Sequence, residues 1–141
     1  MKPLLKIKII SQEKQLATAE AEQVSAPTSE GEITVLPGHI PLFARLVTGE
    51  LIYKKGEQES SFVISRGFID VGPDNQVNVL VDSAVDAREI SVEQAEAAVK
   101  AAQETMSQTE DQRELMMAEA SLRRALLEIR VAQKTKQGSK F

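Results

Sequence analysis

A chain of 141 residues with 42% hydrophobic side chains can hold one core of ordinary size, or a small core with an extended appendage. Its net charge of −4 gives no global reason to expect nucleic-acid binding, and the lack of cysteine excludes a disulfide framework and thiolate chemistry. No segment approaches the roughly 20 apolar residues of a transmembrane helix, and the run from Met1 to Ile10 is too short and lacks the cleavage site of a signal peptide, so the cytosol is the expected compartment.

Leu5, Ile7 and Ile9 alternate with Lys6 and Lys8, the period of a strand with one buried and one wet face, and the polar run from Ser11 to Lys14 supplies a turn. Further strands are expected at Ala17–Ser25, Ile33–Leu36, Phe43–Val47, Gly49–Tyr53, Ser60–Ser65, Gly67–Val71 and Val77–Val81. Many short strands with turns between them imply a β-sandwich or flattened barrel. Composition shifts near Ala84: all five prolines precede it, and after it Ala, Glu, Gln, Met, Lys and Arg dominate with glycine absent until Gly138. The pattern predicts a β domain over residues 1–86 and a helical hairpin over 87–141, a β plus α architecture.

Ser91-Val-Glu-Gln94 and Thr109-Glu-Asp-Gln112 each fit a capping box, so two helices are expected to start there. In the second, Leu115, Leu122 and Ile129 recur every seven residues with Ala118, Ala125 and Ala132 three places after each, which makes a narrow seam. The first helix offers Ala95, Ala98, Val99, Ala102 and Met106 to it. Alanines bury little area, and at about 25 cal/mol per Å2 such a hairpin gains less than a leucine-rich pair. It is therefore weakly held.

Candidates for chemistry are few. His39 is the only histidine, with no nucleophile beside it and no metal-ligand spacing, and reads as a turn residue held by hydrogen bonds. Glu30 and Glu32 flank Gly31, but alternate strand residues share a face, unlike the opposed carboxylates of a hydrolase. No glycine-rich phosphate loop is present. No catalytic residue, metal ligand or cofactor site is expected.

The distinctive segment runs from Gly31 to Leu46. Pro37 and Pro41 fix φ, Gly38 permits a tight reversal, and Ile33, Val35 and Leu36 seek a core. Its Gly-Glu-x-x-x-Leu-Pro-x-His-x-Pro-Leu pattern resembles the epsilon subunit of the bacterial-type rotary F-type ATP synthase. Phe62–Val71 and Val77–Asp82 are similar to two further strands of that family, and with the helical tail the resemblance covers nearly the whole chain.

This resemblance implies a central-stalk (rotor) subunit, without catalytic activity, of a proton-translocating enzyme. Its β domain would couple the gamma subunit to the membrane c-ring, with Glu32 and His39 at or near the c-ring contact. Its helices would fold down on the β domain or extend along gamma. When extended they would meet the alpha and beta subunits transiently and inhibit ATP hydrolysis, through Arg123, Arg124, Arg130 and Lys134 of a basic stretch that also contains Lys136 and Lys140. The same cations also fit a solvated helix end. Some bacterial members bind ATP at an Ile/Leu-Asp-x-x-Arg-Ala motif; here Ser91 replaces the aspartate and Gln94 the arginine, Met117 and Glu128 fall where further arginines are found, and Arg124 alone is retained. The resemblance thus implies no cofactor and a peripheral place on the cytoplasmic face of the bacterial inner membrane, reached only through partners. A different reading of the residues is a free-standing β-sandwich binding module that oligomerises through the hairpin seam.

Overall fold

The computed structural model describes residues 3–12 and 15–138, and the chain divides into two compact units, Met1–Asp86 and Ala87–Phe141. The expected turn at Glu13 and Lys14, the side chain of Lys136 and all of Lys140 lie outside the described residues.

The first unit contains β1 (Leu5–Ser11), β2 (Gln15–Ala21), β3 (Gln23–Thr28), β4 (Gly31–Val35), β5 (Leu42–Leu46), β6 (Gly49–Lys55), β7 (Gln58–Ile64), β8 (Gly67–Val71), β9 (Gln76–Val81) and β10 (Ala84–Asp86). They form one sheet in the order β10-β7-β6-β3-β5-β8-β9-β1-β2, with β4 paired to β3. On β1 the alternation resolves as expected: Leu5, Ile7 and Ile9 are buried while Lys6 and Lys8 are exposed. β1 runs parallel to β9, with Ile7 opposite Val77 and Ile9 opposite Val79, and antiparallel to β2. Inward residues from β1, β3 and β6 through β9, among them Ile7, Val24, Leu51, Ile64, Ile69 and Val79, share one core. A sheet whose distant strands meet in one core has curled over on itself as a β-sandwich.

Two strand expectations need correction. Ala17–Ser25 is not one strand but the end of β2 and the start of β3, because the chain changes partners at Glu22. Ala21 pairs with Leu5 on β1, whereas Gln23 pairs with Lys54 on β6. At the corner the Glu22 N–H donates to the Lys54 carbonyl at 2.7 Å, and its carboxylate accepts the Gly56 N–H at 3.0 Å. The second correction is β10, an unexpected strand that adds to β7 with Ala84 opposite Ile64.

The second unit opens with a 3-10 turn, Ala87–Glu89, followed by α1 (Val92–Gln108) and α2 (Gln112–Gly138). The short connection between them makes the helices antiparallel neighbours. Ser91 caps α1, its hydroxyl accepting the Gln94 N–H at 3.1 Å. Thr109 does not cap α2. It ends α1, donating its N–H to Thr105 O at 3.0 Å, and its hydroxyl accepts the Asp111 N–H at 3.1 Å. The cap of α2 is Asp111, whose carboxylate accepts the Arg113 N–H at 3.0 Å and whose carbonyl accepts that of Leu115 at 2.9 Å. So few connecting residues must serve both helix ends, and Thr109 is already committed to the first.

Within this hairpin the alanines lie innermost. Ala118, Ala125 and Ala132 on α2 and Ala95 and Ala102 on α1 are buried, while Leu115, Leu122 and Ile129 are half-buried. Ala98 is exposed rather than part of the seam, since it sits about 60° around the helix from Ala95. Val131, which the seven-residue pattern passes over, is fully buried.

Candidate functional site

The loop Leu36–Pro41 is shaped by backbone geometry. Gly38 has φ of 85°, a left-handed conformation that glycine adopts freely, and the His39 N–H closes the turn on Leu36 O at 3.1 Å. His39 is exposed, with Nδ1 2.6 Å from the Ile40 carbonyl. A carbonyl only accepts, so Nδ1 is the donor in this contact. Leu36 and Ile40 flank it at 53% and 75% exposure. The loop therefore presents two apolar side chains and an imidazole outward from a rigid frame.

Glu32, also exposed, lies at the start of β4 opposite Pro27. The preceding turn is held by the Thr28 hydroxyl, which donates to Gly31 O and accepts the Glu30 N–H, and by the Ser29 N–H on Arg45 O at 3.1 Å. That bond reaches the C-terminal end of β5, whereas the His39 loop leads into its N-terminal end. The two residues are thus anchored to different neighbours and are not one side-chain cluster. Among the described residues no group of His, Asp and Glu is arranged to hold a metal ion.

A second feature was not anticipated. Phe43 on β5 and Phe68 on β8 are both exposed and stack with centroids 5.2 Å apart, and Leu80 on β9, opposite Phe68 in register, extends the apolar face. The signal was present in the strand period: Ile69 and Val71 take the inward positions of β8, which leaves phenylalanine on the solvent side. Large apolar side chains gathered on a wet face make it a candidate docking surface.

On α2, Arg123, Arg130 and Lys134 are exposed, and steps of seven and four residues put them on one stripe. Arg124 lies on a different face, half-buried, with Nε 3.8 Å from the Glu128 carboxylate one turn on. A groove of about 470 Å3 opens between the start of α1 and the end of α2, lined by Arg88, Ile90, Ser91, Glu93, Ala132 and Thr135 among others. Ser91 is occupied there as a helix cap, and Glu93 adds a carboxylate to the lining.

A β-sandwich joined to a helical hairpin, with large apolar side chains exposed on the His39 loop and on the Phe43 and Phe68 face, is an architecture suited to assembly with other proteins. Residues 4–87 match the β-sandwich domain of the ATP synthase delta/epsilon chain, and residues 88–133 match its long α-helix domain. The ATP synthase epsilon chain of Syntrophobacter fumaroxidans is 39% identical over 131 residues, covering 93% of this chain and 97% of the relative. That of Dehalococcoides mccartyi is 42% identical over 134 residues, covering 94% and 95%. Among solved structures, a chain of the Euglena gracilis mitochondrial ATP synthase OSCP/F1/c-ring aligns with a TM-score of 0.75 at 24% identity, over 97% of this chain and 83% of its own, which is a likeness of fold.

The chain belongs to the ATP synthase delta/epsilon chain family. It is a stalk subunit of that ion-transporting rotary complex rather than a catalytic one. The complex is membrane-bound, and among the described residues no helix is long and apolar enough to cross a membrane.

Proposed function

We propose that this subunit couples gamma to the c-ring through its β unit and brakes ATP hydrolysis through its helical hairpin. The observation that carries the reading is the end-to-end match of both units to one family. In this role the β-sandwich transmits torque, because a close-packed core deforms little under load. Gamma is the partner we assign to the Phe43, Phe68 and Leu80 face, and the c-ring the partner of Glu32 and the His39 loop. The chain then lies on the cytoplasmic face of the bacterial inner membrane and works with protons as the coupling ion.

Binding to cognate gamma tests the first part. Unaltered protein is expected to bind gamma at micromolar concentration. The double substitution of Phe43→Asp and Phe68→Asp is expected to weaken binding by about a hundredfold, as loss of two central aromatic anchors does. Binding that survives both changes would assign gamma to another face. If instead the isolated chain forms a concentration-dependent oligomer that Leu122→Glu disperses, the free-standing binding module is the better description.

The hairpin works in this reading without nucleotide. Of the cations that would neutralise phosphates, Arg124 is engaged by Glu128, and Ser91 and Gln94 stand at the first helix instead of aspartate and arginine. Millimolar magnesium-ATP is therefore expected to leave the melting temperature of the isolated chain unchanged. A ligand at a hundred times its Kd would add about 2.7 kcal/mol, which a thermal melt resolves easily.

Arg123, Arg130 and Lys134 are the side chains we assign to the catalytic ring, acting at contact because screening at physiological salt limits their reach to about 8 Å. Arg124 joins them only if extension of the helix frees it from Glu128.

A further inference from the structure

We propose that Asn75 is a positioning residue that sets the stance of the Leu36–Pro41 loop toward the c-ring. The inference rests on the reading that this loop meets that ring. Asn75 sits in the turn between β8 and β9, where it and Asp74 adopt left-handed conformations with φ of 62° and 61°. Asparagine is among the few residues with a side chain that tolerate this region.

From there it reaches two other segments. Its Oδ1 accepts the Gly38 N–H at 2.7 Å, and its backbone carbonyl accepts the Lys6 N–H at 2.8 Å, ahead of the β1–β9 ladder. One residue thus ties the loop tip to the turn and to the first strand. The bond meets the loop at Gly38, between the exposed Leu36 and Ile40 and beside His39. With Ile40 exposed to solvent, this side-chain bond is a long-range tether at the loop tip, crossing 37 positions of sequence. A partner-facing loop needs such a tether, because a loop ordered only on contact loses affinity to the ordering.

Two substitutions separate the tether from the fold. Asn75→Gly keeps the left-handed turn, which glycine adopts freely, and deletes the acceptor; Asn75→Asp keeps both. Amide exchange at Gly38 in the full chain reports the tether directly. Ion pumping per ATP hydrolysed, in vesicles carrying the reconstituted complex, reports its effect on coupling.

Asn75→Gly is expected to speed Gly38 exchange about fivefold, the worth of one hydrogen bond, and to lower the pumping ratio, with Asn75→Asp near the unaltered protein in both. Ile40→Glu in the same vesicles keeps the two ideas apart. If Ile40→Glu uncouples while Asn75→Gly pumps normally despite fast exchange at Gly38, the positioning role is overturned and the loop reading stands. If neither variant changes the ratio, the loop is not the contact. Failure of Asn75→Asp to restore pumping would also overturn the proposal.

Discussion

Alanine at position 67 is expected to unfold the β unit, with a loss of about 3 kcal/mol or more, the upper end of what overpacking costs. Gly67 opens β8, facing Val81 on one side and Leu46 on the other. A Cβ built there lies 2.0 Å from the Leu80 carbonyl oxygen and 2.7 Å from Val81 Cα. Both obstacles are backbone, so no rotamer change relieves the clash, and β9 would have to leave the sheet. β9 also carries Val77, Val79 and Val81 into the core and holds β1 through the parallel ladder. The damage therefore spreads beyond one hairpin. Gly72, in the turn that ends β8, supplies the control: its nearest obstacle is the Gln76 carbonyl at 3.9 Å, ordinary contact distance. Urea titration of the two alanine variants should show a collapsed midpoint for Gly67→Ala and a nearly normal one for Gly72→Ala. Equal midpoints would mean that the strands separate easily at this point.

Ending the chain at Asp86 is expected to raise ATP hydrolysis by the reconstituted catalytic complex about fivefold or more, the scale of one coupling free energy of 1 kcal/mol upward. The cut falls at the division between the two units. It leaves the β-sandwich core whole, because every member of that cluster precedes it. The shortened chain should therefore still bind gamma, which distinguishes a lost brake from a lost subunit. Reversing Arg123, Arg130 and Lys134 to glutamate in the full chain narrows the cause. A similar rise would assign the brake to the cationic stripe, whereas unaltered inhibition would assign it to the bulk of the helix. If the shortened chain binds and hydrolysis stays the same, the hairpin does not regulate.

Much of this was legible in the sequence where one local rule governs. The alternation on β1, the Ser91 cap and the switch from β to helix near Ala84 each depend on a few adjacent side chains, and each stands in the structure. Reading failed where one residue answers to two elements. Glu22 carries no turn signal of its own, yet its N–H and carboxylate anchor a corner against Lys54 and Gly56, partners more than thirty positions away. Thr109 fits a capping box, but the end of α1 claims it first and leaves α2 to Asp111. The proposed docking faces were legible only in part. His39 drew notice by its rarity and its turn, whereas Phe43 and Phe68 became a surface only once pairing of β5 with β8 set them side by side. Nothing local in the sequence marks Asn75, because the acceptor role of its side chain belongs to a loop that folding brings to it.

The parallel pairing of β1 with β9 also governs the order in which the molecule is made. Ile7 emerges from the ribosome 70 positions ahead of Val77 and waits for it before its ladder closes, so the first unit cannot finish folding until almost its entire sequence is available. Closing so long a loop carries a large entropic penalty and makes folding slow, while the helices that follow form from local contacts in microseconds. During synthesis the nascent β unit spends its vulnerable interval with a bare, apolar first strand, and Lys6 and Lys8, at alternate positions on that strand, keep its wet face from pairing with a neighbouring chain.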